Sequence, residues 1–481
     1  MGVGVASRPG LAAPGPAGSA LAARVRKLVP LAVFAVGLVA YYLIYRYRIG
    51  HVESPVRSDA EGYYAYLPSY LLYHDYSFNS LLHGPLSPSR TGYSVSLFGF
   101  SKVPTGHWLD KYPVGEAVLL VPFFSIGHLI AHLMGVVANG YSHPEVYVSG
   151  LGGLVYTALG LSALGAVLRR WFSDWVTAAT LVVVTFGTGV FDFATFSSLF
   201  SHAYSFFAVS VMLLCALRWY EAPRSALRAV LLGLAIGMVV AIRLTDVTLV
   251  FAVPLLGVGS RSALRERLLL LRGHAVRVAM IVAAACAVLL PQVLTWYLAA
   301  HHLLVRPYPG ESFNFTHPHM IGSLFSFNPH GLLPYAPVLA IALGGLVASW
   351  RWRRDLAVPV TVAFLPFWYL VACWWDWSFS AAFGDRAFND IVPLLAIPLA
   401  FVFASLSGPL IRALVGGICA ALVAVTTVLM VSYWQGRLPT SGAPPAQYFQ
   451  ILFDRNSSPA AGNHEPPTPP EQHAYPPPAP P

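Results

Sequence analysis

"VGEAVLLVPFFSIGHLIAHLMG", Val114–Gly135, decides how this chain is threaded. The run is long enough to cross roughly 30 Å of hydrocarbon, yet it carries Glu116, Pro122, His128 and His132. If it crossed, the next apolar run would end on the outer side with Arg169 and Arg170, against the rule that Lys and Arg are retained in the cytoplasm. We therefore read it as a helix lying on the outer face, and take 145–168 as the second true span.

With that choice, every later basic cluster falls on the cytoplasmic side: Arg218, Arg224 and Arg228; Arg261 to Arg277; Arg351, Arg353 and Arg354; and Arg412. Arg24, Arg26 and Lys27 place the N-terminus there as well, with the first apolar run kept as a signal anchor. The remaining spans are expected at 29–46, 174–191, 203–219, 227–242, 245–259, 278–298, 334–350, 356–373, 389–406 and 411–433. The chain thus reads as an all-α polytopic membrane protein of about eleven transmembrane helices, with juxtamembrane helices in the first extracytoplasmic loop. Three regions follow: a disordered cytoplasmic N-terminus at 1–23, a transmembrane domain at 24–437 whose first outer loop is 47–144, and a Pro-rich, mostly disordered extracytoplasmic tail at 438–481.

Composition supports this reading. Of 481 residues, 56% are hydrophobic and 10% charged, with a mean hydropathy of +0.62, whereas soluble chains carry about a quarter charged residues. The net charge of +9 sits at the ends of apolar runs, so it records topology and excludes nucleic-acid binding. The four cysteines, Cys215, Cys286, Cys373 and Cys419, lie in or beside apolar spans without metal-ligand spacing and read as packing residues. No internal repeat is evident.

The outer side collects Asp59, Glu61, Asp110, Lys111, Glu116, His202, Arg306, Glu311, His317, His319, Asp385, Arg386 and Asp390, many beside Tyr, Trp or Pro. Any one of them suits a solvated loop; together they suggest a cavity at the outer interface. In "RSDAEGYYAYLP", Arg57–Pro68, a carboxylate held by tyrosines can act as a general base toward a hydroxyl, or the tyrosines simply anchor the loop at the interface. In "DKYPVGEA" Lys111 can meet a lipid phosphate or snorkel to headgroups. In "AIRLTDV" Arg243 and Asp246 interrupt two short apolar runs, as an ion pair or with the arginine aimed at an anionic ligand. His202 is a candidate acid/base, ligand contact or buried hydrogen-bonding histidine, and the tryptophans of "WWDWSFSAAFGDRAFND" read as an aromatic belt ahead of Asp385 and Arg386. Further contacts to bound molecules are expected from Glu61, Tyr63, Tyr64, Tyr112, His202 and Asp385.

The order of these elements resembles the GT-C superfamily of membrane glycosyltransferases, in particular bacterial relatives of the protein O-mannosyltransferases and of the lipid A aminoarabinose transferase. The resemblance runs from about residue 29 to 433 and is most specific in the first outer loop. It implies that Asp59 is the catalytic base, that Lys111 contacts the donor phosphate, and that Arg243 is the basic residue of the tight hairpin. The eukaryotic-type mannosyltransferases set Asp and Glu side by side, whereas Ala60 separates Asp59 from Glu61 here. The large soluble C-terminal domain of some relatives also has no counterpart.

The expectation is an inverting, mannosyltransferase-like glycosyltransferase of the plasma (inner) membrane that moves a monosaccharide from a polyprenyl-phosphate carrier to an unknown extracytoplasmic acceptor. Asp59 would act as base, with Lys111, Arg243 and Arg386 on the lipid phosphate and the further contacts, from Glu61 to Asp385, on the sugar or the acceptor. Its partners are then the lipid-linked donor, the acceptor and the bilayer, with no nucleic acid. No cofactor is required; loop histidines are compatible with a divalent metal, but no ligand set indicates one. The rival is a transporter or flippase for a lipid-linked sugar, which should carry polar or broken helices at the bilayer midplane and often repeats.

Overall fold

The computed structural model describes residues 20–83 and 99–454. Of the expected disordered ends, residues 1–19 and 455–481 lie outside the described residues. Eight helices are long and apolar enough to cross a membrane and four shorter apolar helices accompany them. Gly115–Leu133 apart, these correspond one for one to the eleven expected spans, so the chain is an all-α polytopic membrane protein.

The shortest expected spans show how few residues suffice. Leu244–Leu255 is a 3₁₀-helix, whose rise of about 2.0 Å per residue carries it farther than an α-helix of equal length. The span expected at 389–406 opens as a 3₁₀ turn, Arg386–Ile391, and continues as the helix Val392–Ser405. This segment is central: 83% of its apolar window is buried, against 11% for Ala275–Ala300 and 22% for Pro409–Trp434, whose outward faces are left for lipid.

Gly115–Leu133 does not cross the bundle. It runs antiparallel to one half of His143–Leu168: the Tyr156 hydroxyl donates to the Leu119 carbonyl at 2.8 Å, and the rings of Phe123 and Tyr156 meet at 5.7 Å. Farther along, Gly127 lies against Pro144 and Glu145, so close that a Cβ there would meet the Glu145 Cα at 2.8 Å. Its first residue, Gly115, abuts the backbone of Ala241 and Ile242 at the end of Ala226–Ile242, next to Arg243, where any side chain would collide. The helix therefore reaches only from the start of His143–Leu168 to about its middle. Ile126, Leu129 and Leu133 point outward from it.

The first loop folds before it reaches this helix. Asp59–Tyr66 forms an eight-residue helix, and Phe100–Lys102 pairs antiparallel with Trp108–Asp110 in the register Ser101↔Leu109. The strand pair is pinned to the far end of Ala275–Ala300, where Thr105 Oγ1 donates to the Ala299 carbonyl at 2.5 Å. Lys111 and Tyr112 leave the second strand with the Lys111 N–H still bonded to the Gly99 carbonyl at 2.8 Å, which fixes their direction.

Two boundaries differ from expectation. The first helix is Ala20–Arg46, so it takes in the last residues of the stretch expected to be disordered and begins ahead of the span expected at 29–46. Within the tail expected from 438, Pro445–Phe453 is a helix whose Tyr448 and Ile451 are buried, with the Tyr448 ring 4.9 Å from that of Phe327. "PAQYFQILF" is a short amphipathic helix, outweighed in a compositional reading by the prolines that follow it.

Candidate active site

Asp59 is the first residue of its helix, where the free backbone N–H groups favour an acid. Its Oδ2 pairs with Arg386 Nη1 at 2.6 Å and its Oδ1 accepts the Tyr112 hydroxyl at 2.8 Å. Burial alone would push the Asp59 carboxyl up, but Arg386, then Lys111 and the Tyr112 hydrogen bond outweigh it and hold Asp59 below the usual carboxylate range. Neighbouring Asp110 goes the other way: it is 1% exposed, and burial drives its carboxyl well up although it accepts the Tyr112 N–H at 2.9 Å. Two acids in one loop are thus pushed in opposite directions, and the one held low, Asp59, lines both cavities.

Lys111 Nζ pairs with Glu311 Oε1 at 2.7 Å and lies 5.7 Å from the Tyr308 ring. The other Glu311 oxygen accepts the Trp375 indole N–H at 3.0 Å. Behind this layer Asp390, fully buried, takes His202 Nδ1–H on Oδ1 and pairs with Arg243 Nε through Oδ2, both at 2.9 Å. Arg243 also donates to Ser201 Oγ at 3.2 Å, as does the Tyr63 hydroxyl at 3.1 Å. The ion-pair partner of Arg243 is therefore Asp390, brought from the far side of the sequence, while Asp246 accepts from Ser205 at 2.9 Å.

Two cavities open onto these groups. One, about 660 Å³, is lined by Lys111, Arg243, Arg306 and Arg386 together with an apolar wall that includes Phe313, Phe367 and Trp374. The other, about 560 Å³, is lined by Arg57, Glu61 and aromatic rings including Phe196, Tyr433 and Trp434. Asp59, Tyr112, Trp375, Asp376 and Arg386 line both, so the cavities meet at the Asp59–Arg386 pair. The larger cavity thus combines cations with an apolar wall, the smaller one polar groups with aromatic rings, and the Asp59 carboxylate stands between them.

Of the expected residues, Asp59, Lys111, Tyr112, Arg243 and Arg386 converge here, Tyr63 lines the larger cavity and Glu61 the smaller. Three expected contacts do not line either. Tyr64 is fully buried and its hydroxyl donates to the Gly140 carbonyl at 2.6 Å, because successive residues on a helix point to different faces. His202, 1% exposed, lies behind Arg243 as the partner of Asp390. Asp385 turns away from Arg386 into a separate small void beside Tyr335 and Asn389. Glu311 and Asp390 were counted among the outer-side charges that suggest a cavity but were given no role of their own. Trp375 and Asp376 were not assigned to the site, concealed in what read as an aromatic belt.

No family model matches the chain, and neither does any curated protein sequence. Among solved structures it is similar to ArnT from Cupriavidus metallidurans bound to undecaprenyl phosphate, at 14% identity over 88% of this chain and 75% of that one, with a TM-score of 0.46. It is also similar to the Archaeoglobus fulgidus oligosaccharyltransferase in the apo form, at 11% identity over 87% of this chain and a TM-score of 0.44. Archaeal oligosaccharyltransferase AglB from the same organism, in complex with an inhibitory peptide and a dolichol-phosphate, matches at 10% identity over 87% of this chain with a TM-score of 0.43. The chain spans 57% of the length of these two archaeal chains.

Proposed function

We propose that this protein is an inverting GT-C-type glycosyltransferase that moves a monosaccharide from a polyprenyl-phosphate carrier to an extracytoplasmic hydroxyl, working at the outer face of the plasma membrane. The observation that carries the reading is the meeting of a cation-lined, apolar-walled cavity with an aromatic, acid-bearing one at Asp59. The donor occupies the larger cavity, its phosphate among Lys111, Arg243 and Arg386 and its lipid chain along the apolar wall. The acceptor enters the smaller cavity, whose aromatic rings suit a sugar or peptide face.

Asp59 takes the proton of the acceptor hydroxyl as the oxygen forms its bond to the anomeric carbon. The bond from that carbon to the phosphate oxygen breaks, and the electron pair leaves on the lipid phosphate. Fixed cations stabilise that charge without reorganising, which is where they contribute most. Arg386 serves both partners: a bound phosphate draws on the guanidinium that otherwise pairs with Asp59, so donor binding leaves the carboxylate a stronger base. The concentration of polar groups at one end of the bundle supports a transferase over a transporter, whose pathway needs them along its length.

The test is transfer of a radiolabelled sugar from a synthetic polyprenyl-phosphate monosaccharide by the purified full chain, with cell-envelope membranes as acceptor. Label moving into acceptor material, and lost with Asp59→Asn, is the expected result. Label that crosses a vesicle bilayer still attached to its lipid would instead establish the transporter.

A further inference from the structure

We infer that His128 and His132 form a binding site for a divalent transition metal of the zinc class, separate from the cavities at Asp59. Four residues apart on Gly115–Leu133, the two rings share a helix face, and their Nε2 atoms lie 3.2 Å apart. Glu145, its side chain fully buried, accepts His128 Nδ1–H at 2.6 Å. That bond places the His128 proton on Nδ1 and leaves the Nε2 lone pair facing His132, the carboxylate–histidine arrangement that orients metal ligands. Phe124, stacked on the His128 ring at 6.0 Å, holds it in plane.

The geometry already matches a coordination edge. Two nitrogens each about 2.0–2.1 Å from a tetrahedral zinc ion are about 3.3–3.4 Å apart, close to the observed 3.2 Å, so a turn of the exposed His132 ring brings both lone pairs onto one ion. In the metal-free protein a single proton joins the two Nε2 atoms. On binding, His132 carries its ring proton on Nδ1 and the cation takes that place. His132 is exposed, so the remaining positions are open to water or an outside ligand. Among the described residues no third His, Cys, Asp or Glu converges there, which makes this a two-ligand site.

Glu145 is itself rigid. Its second oxygen accepts the backbone N–H of Gly140 at 2.8 Å and of Ser142 at 2.9 Å, and the Ser142 hydroxyl at 2.7 Å. Gly140 in turn receives the Tyr64 hydroxyl from the helix that begins with Asp59. A metal here would clamp the Gly115–Leu133 and His143–Leu168 pair, on which the Asp59 helix leans, without touching the reacting groups.

The experiment is a calorimetric titration of zinc chloride into the full chain in detergent, purified without a polyhistidine tag, with cobalt(II) as an optical probe of geometry. One equivalent should bind, be lost in His132→Ala and in His128→Ala, and weaken about 10–100-fold in Glu145→Gln. Zinc should raise the melting temperature of the unaltered chain, less so that of Glu145→Gln, and leave those of the two histidine variants unchanged. His132 is exposed, so His132→Ala should melt like the parent without metal and decides the matter even where His128→Ala destabilises the fold. Equal isotherms for the parent chain and His132→Ala, or the same cobalt spectrum in both, overturn the site.

Discussion

Asp59 owes its character to Arg386. With its folded value below the ordinary carboxylate value near 3.9, kcat/KM, which reports the free enzyme, should be level from neutral pH down to about pH 4 and fall only below it, while the acid limb of kcat should lie at higher pH because donor binding draws Arg386 away. Removing the cation should lift the carboxyl, so the acid limb of kcat/KM in Arg386→Gln should move to higher pH; an unmoved limb would separate the pair from the activity. The same sign governs stability: the pair's contribution is present above the unfolded carboxylate value and is lost as pH falls through the lower folded one. Asp59→Asn should lower the rate on the order of 10²–10⁴-fold with the fold intact. Lys111→Ala acts on the donor instead, and donor KM should rise roughly 10–100-fold, the worth of a hydrogen bond to a charged group. Asp390 is a different case, buried between His202 and Arg243. Asp390→Ala leaves a buried arginine uncompensated and should cost about 3–5 kcal/mol of stability, seen as a lower melting temperature, as well as donor affinity.

At the scale of elements, the junction between the first loop and the bundle rests on Gly115. Its position against the Ala241 and Ile242 backbone sets Lys111 and Arg243 on one cavity wall. Gly115→Val should therefore destabilise on the order of 1–3 kcal/mol by overpacking and should weaken donor binding by separating the two cations. Gly416→Ala is the control: nothing lies within 4 Å of a Cβ there, and in a helix the alanine should stabilise by up to about 1 kcal/mol. If Gly115→Val binds donor as well as Gly416→Ala does, the close approach has no part in the site.

For the whole molecule, the consequence is sidedness. Lys111, Glu311 and the 300–319 segment lie at the same end as Asp59, while Arg261–Gly273 lies at the other. In a background lacking the four cysteines, a membrane-impermeant thiol reagent should label His317→Cys from outside intact cells and Ser262→Cys only after permeabilisation; both are exposed positions. The opposite pattern would invert the protein and move the proposed chemistry to the cytoplasm.

Much of the architecture was legible in the residues. Runs of apolar side chains must match the hydrocarbon thickness and arginines cluster at one end of them, so spans and the non-crossing of Val114–Gly135 follow from one-dimensional quantities. Arg243 stood out because a charge between two apolar runs is costly, whereas Asp59 and Lys111 were singled out from the other outer-side charges only by the resemblance; that the three line one cavity is visible only in three dimensions. The pairings were not legible. That Arg243 meets Asp390 instead of Asp246, that Glu311 holds Lys111, and that Tyr64 and Asp385 turn away from the cavities while Trp375 and Asp376 enter them depend on how helices distant in sequence rotate against one another. Hydropathy and local spacing carry burial and periodicity, but the partner of a buried charge is chosen by packing between helices, and only the tertiary structure holds that information.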